Sequence, residues 1–173
     1  MSKKDTHAEY KRLASAVSES DYDTGSAWIV ESADLVKRFF NTTSDMEVNF
    51  NEIVGGNELA ESDIPRLLVA LDCLPVRDYA LGLLDYTNPT HVIALEHLLK
   101  VSPKAVSSAP ATILAVARFE GGDTDGALEL LTQVPTYPLA NLVLRVIEAK
   151  WKPSAFNEMR KQLHHKVIAS IYA

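Results

Sequence analysis

Along most of this chain apolar residues recur at intervals of three and four, the period of one helix face. In 7–18, Tyr10, Leu13, Ala14 and Val17 form a modest stripe. Ser26 precedes "AWIVESADLVKRFF", where Trp28, Leu35, Val36, Phe39 and Phe40 fall on a common face, so a capped helix is expected there. Residues 41–61 break the period. Met46, Val48 and Phe50 alternate, but Asn and Glu are poor strand formers and no partner strand is visible, so the spacing predicts an irregular acidic connection.

From residue 62 onward prolines punctuate a run of helices. Ser62 and Pro65 open "DIPRLLVALDCL", and Pro75 separates it from "VRDYALGLLDY". Asn88-Pro89 reads as a cap and first position for "THVIALEHLLKV", Pro110 opens "ATILAVARFE", and Pro138 and Pro153 start the last two helices. In the final one, Phe156, Met159, Leu163, Val167 and Ile171 are expected to form the inward stripe. The fold class is all-α. A shift of 47 residues aligns 67–84 with 114–131, matching Leu67/Leu114, Val69/Val116, Ala70/Ala117, Asp78/Asp125, Ala80/Ala127, Leu81/Leu128, Leu83/Leu130 and Leu84/Leu131. Such a period suits stacked antiparallel helical hairpins of tetratricopeptide-like kind. A single domain over 1–173 is expected, with N-terminal helices and the acidic connection in 1–61 and the hairpin region in 62–173.

The corner Gly121-Gly122-Asp123-Thr124-Asp125-Gly126 invites a ligand reading that its spacing rejects. A phosphate loop needs a lysine after its last glycine, and no Lys or Arg lies between Arg118 and Arg145. A calcium loop counted from Asp123 has Ala127 and Leu128 where an oxygen ligand and a glycine belong. A glycine ending one helix and Asp123 or Thr124 capping the next explain every residue.

"SSAPATILAVARFEGGDTDGALELLTQVPTYPLANLVLRVIEAKWKPSAF", with the upstream "LPVRDYALGLL", resembles the C-terminal half of actinobacterial proteins classed as domain of unknown function 4192. The features that carry the resemblance are Ala109-Pro110, Gly122-Asp123, Ala127-Leu128, Tyr137-Pro138-Leu139-Ala140 and Pro153-Ser154, over roughly 64–156. It implies a helical-hairpin fold and an actinobacterial or actinophage origin. It carries over no catalytic residue.

Composition narrows the function classes. With 47% hydrophobic and 23% charged residues the chain has ordinary globular proportions. No apolar run approaches a membrane span, the N-terminus lacks the apolar region of a secretory signal, and the one cysteine, Cys73, sits among aliphatics. A cytoplasmic protein with no membrane association is expected. The five histidines lack the i, i+4 pairing of a helical zinc site, and no nucleophile motif or cofactor signature occurs, so no catalytic, cofactor or metal residues are assigned.

The net charge of −6 divides into −7 over 1–63, −2 over 64–145 and +3 over the last 28 residues. These values, the absence of catalytic motifs and the helical pattern favour a non-enzymatic protein-interaction module that accepts a partner's helix or peptide. The candidate contact residues are Arg160, Lys161, His164, His165 and Lys166 on the final helix, with Trp28, Phe39 and Phe40 as aromatic anchors that could equally be core. The expected partner is a protein, or a second copy in a homodimer. The alternative is a nucleic-acid-associated regulator using the basic final helix, against which the overall acidity weighs.

Overall fold

The computed structural model describes residues 1–41 and 59–173, so most of the connection expected over 41–61 lies outside the described residues. Among those residues nine α-helices and no strand occur: α1 (Lys3–Ser15), α2 (Ala27–Phe40), α3 (Ile64–Asp72), α4 (Leu74–Leu83), α5 (Pro89–Val101), α6 (Ser108–Glu120), α7 (Thr124–Thr132), α8 (Pro138–Glu148) and α9 (Pro153–Ile171). The helices start where local chemistry satisfies free N–H groups. The Asp5 N–H donates to Ser2 Oγ at 3.1 Å, and the Ile29 N–H to Ser26 Oγ at 3.2 Å. The Thr90 N–H donates to Asn88 Oδ1 at 3.0 Å. Prolines occupy the first turns of α3, α4, α5, α8 and α9, where the missing donor costs little.

Two boundaries differ from expectation for the same reason. Pro75 lies inside the first turn of α4 rather than before it, and α6 begins at Ser108 with Pro110 in its first turn. The fixed φ of proline fits the first helical turn, so the helix can begin ahead of the residue.

The glycine corner is structural. At its end α6 closes with Gly122 at φ 89°, the Gly122 N–H donating to Phe119 O at 3.1 Å and the Asp123 N–H to Arg118 O at 2.8 Å. Asp123 Oδ1 then accepts from the Gly126 N–H at 2.9 Å and starts α7, which folds back on α6.

The core is organised around α6. Ala109, Ala111, Ile113, Leu114, Ala115, Val116, Ala117 and Phe119 are all buried, so this helix is apolar on every side and its alanines let neighbours approach closely. Helices α5, α7, α8 and α9 pack on it, with α3 and α4 also in contact. Phe39 and Phe40 lie in the same buried cluster, with rings edge to face at 5.1 Å. They are core residues, not exposed anchors, because α2 turns that face onto α3 and α4.

The 47-residue match is partly structural. Leu67, Val69, Ala70, Ala80 and Leu84 are buried, and so are Leu114, Val116, Ala117, Ala127 and Leu131. The corners differ: Cys73 alone joins α3 to α4, whereas Gly121–Asp123 separates α6 from α7. Cys73 is buried and desolvation pushes its thiol pKa up, which leaves it a packing residue.

Candidate functional site

Helix α9 settles along α4 with an inward row that hydropathy alone would not choose. Phe156 and Ile171 are buried as expected, but between them Arg160 is buried and Leu163 is 48% exposed. Met159 and Val167 pack half-buried against the core as expected, while Arg160 and His164 also turn inward and Leu163 does not. The rotation is set by one carboxylate. Glu120, at the end of α6, has its side chain fully buried and accepts from Arg160 Nε at 2.8 Å and Nη2 at 2.6 Å. Asn157 Nδ2 also donates to it, at 2.7 Å. Arg160 Nη1 donates to the carbonyls of Leu81 and Leu84 (3.0 Å to the latter), and Lys161 Nζ to that of Leu84 at 3.2 Å. Two cations of α9 thus satisfy the free carbonyls at the C-terminal end of α4, where positive charge is favoured.

The candidate basic surface therefore divides. Arg160 is a buried ion pair, Lys161 reaches back to α4, and His164 stacks on Tyr79 at 5.5 Å with 27° between ring planes. His165 and Lys166 are exposed. Burial, then the positive charges of Lys161, His165 and Arg160, hold the His164 pKa below the ordinary histidine value.

Leu163, one turn beyond Arg160 on the same side of α9, is left uncovered and lines a groove. Its walls are α4, α8 and α9, with Val116 of α6 and Phe156 beneath, enclosing about 220 Å³. Leu142 of α8, 49% exposed, lines it with Leu163, and Leu139, Met159 and Val167 extend the apolar surface. On its edge the Arg77 guanidinium holds Asp78 Oδ1 at 2.9 Å and lies 5.9 Å from the Tyr137 ring centre. Trp28 lines a second cavity of about 240 Å³ between α1, α2 and α3, half-buried with its ring edge on Tyr22 at 5.3 Å. Leu139, Leu142, Met159 and Leu163 are absent from the sequence-derived contact residues. Nothing in their local sequence marks them, because each reads as an ordinary apolar residue of an amphipathic helix until α4, α8 and α9 are assembled.

Among the described residues, no group of three or more His, Cys, Asp or Glu side chains is placed to share a metal ion. No helix of the described residues is long and apolar enough to cross a membrane. No family model, curated protein or solved structure matches the chain.

Proposed function

We propose that this protein is a non-enzymatic, cytoplasmic interaction module whose α4–α8–α9 groove accepts an amphipathic helix or short peptide of a protein partner. The observation that carries the reading is the pair Leu142 and Leu163, each about half exposed and lining one apolar groove. Leucines left in water on a groove with a polar edge mark a surface that gains by being covered. The rival reading, a basic helix for nucleic acid, has less to draw on, since Arg160 and Lys161 already serve the protein's own carbonyls. The likeness to the actinobacterial domain of unknown function 4192, the tetratricopeptide-like arrangement and an actinobacterial or actinophage origin belong to the same proposal.

The test compares the protein with Leu142→Glu/Leu163→Glu, checked for unchanged helicity. Both side chains are exposed, so the double variant is expected to keep its stability within about 0.5 kcal/mol. Affinity capture should retain a stoichiometric protein with the parent and lose it with the variant. Sedimentation should report whether that protein is a second copy. Equal retention by both, or retention of nucleic acid alone, overturns the groove reading.

A further inference from the structure

The His164 ring lies against the one residue of α4 that leaves room for it. A Cβ placed on Gly82 would stand 1.8 Å from His164 Nδ1. That nitrogen is buried and has no hydrogen-bond partner. A neutral imidazole can leave one nitrogen as a bare acceptor against a glycine Cα. An imidazolium carries N–H on both nitrogens, and the one facing Gly82 has no acceptor within the docked geometry.

The surrounding charges reinforce this. On α9 the neighbours are Arg160, Lys161 and His165, all positive or able to become so. On α4 Tyr79 stacks on the ring, and Arg77 and Asp78 line the same groove. Asp78 is held by Arg77, Glu120 of α6 by Arg160 and Asn157, and Asp34 of α2 by the Tyr172 hydroxyl at 2.9 Å. Each of these carboxylates already has a donor other than His164.

We propose that His164 is a proton-sensitive latch: the neutral ring holds the C-terminal half of α9 on α4, and its protonation releases that half and opens the wall of the groove. The consequence for binding rests on the groove reading; the release itself does not. The docked ring resists a proton that the released ring accepts near its ordinary pKa. Release therefore starts as pH falls below about 6.5 and grows about tenfold per pH unit until the docked ring itself titrates.

Hydrogen exchange of the full chain between about pH 7.5 and pH 5 tests the latch across that range. Rates are converted to protection factors, and α6 serves as internal reference. The expected result is loss of protection in 161–171, about tenfold per pH unit, through an opening that leaves α6 with the higher protection at every pH, since α6 exchanges only through global unfolding. In His164→Leu, which is uncharged at every pH, that loss should vanish. NMR titration of the His164 imidazole in the unmodified protein gives a second reading that does not depend on the variant folding. Loss of α9 protection of equal size in His164→Leu overturns the proposal. So does a His164 that titrates at or above about 6.5 with α9 still protected. No partner enters these measurements, so the latch and the groove reading can fail separately.

Discussion

Lys150 ends α8 in the left-handed region, with φ 62°, the one non-glycine residue at positive φ among those described. Its N–H donates to Ile147 O at 3.0 Å and the Trp151 N–H to Val146 O at 3.2 Å, the same closing pair that Gly122 makes at the end of α6. The Lys150 side chain is exposed, so glycine would remove the backbone strain with no loss of buried contact. Lys150→Gly is expected to raise stability by about 1 kcal/mol in urea denaturation, and Gly122→Ala to lower it by about the same amount. Gly121-Gly122-Asp123 was legible as a helix corner because Schellman closure and N-capping are local. Lys150 carried no such mark, since only the completed α8 shows that its backbone takes a glycine's conformation.

At the scale of elements, α9 is positioned by a buried charge pair as much as by its apolar residues. Glu120→Gln leaves Arg160 charged in the interior without a counter-ion, and Arg160→Met leaves Glu120 in the same state. Each single change is expected to cost about 3–5 kcal/mol in chemical denaturation. Glu120→Gln/Arg160→Met removes both charges and should cost at least 1 kcal/mol less than the two single losses added, roughly the coupling expected of residues in contact. A double variant as unstable as that sum would mean that the Arg160 bonds to Leu81 O and Leu84 O, not the pair, hold α9. Of the expected stripe, Phe156 and Ile171 are buried and Met159 and Val167 pack half-buried on the core, whereas Leu163 is left exposed and Arg160 takes an inward place the stripe did not assign. Hydropathy assigns arginine to water, and a carboxylate 40 residues away in sequence overrode that assignment.

For the whole molecule, a buried histidine makes stability fall in acid. His91 is 8% exposed, packs on Phe40 at 4.9 Å, and accepts at Nδ1 from the Asp85 N–H at 3.0 Å. Burial first, and then the positive charge of Lys161, lowers its pKa, despite the opposing pull of Asp85. The unfolded chain thus binds a proton that the folded one refuses. Stability attributable to His91 is complete above about pH 6.5, declines by up to about 1.4 kcal/mol per pH unit below it, and levels off beneath the folded-state pKa. Thermal denaturation across this range should show the decline, and His91→Gln should flatten it. The effect is global and should persist in His164→Leu, whereas the latch is confined to α9. The division of charge into an acidic N-terminal part and a basic C-terminal part has a related outcome. Arg160 and Lys161 answer the carbonyls of α4 and the carboxylate of α6, which sequence could not pair with them.

By itself the sequence determined the all-helical class, the proline-led starts of α3, α5, α8 and α9, the corner at 121–123 and the burial of Cys73. These follow from periodicity and from residues that act on their own few neighbours of backbone. Tertiary structure alone decided which way α9 faces, and therefore that Arg160 lies inside, Leu163 outside and the groove between α4, α8 and α9 exists. A helix can rotate by part of a turn without breaking any local rule. Only the distant partners it meets, here Glu120, Tyr79, Gly82 and the end of α4, select the rotation.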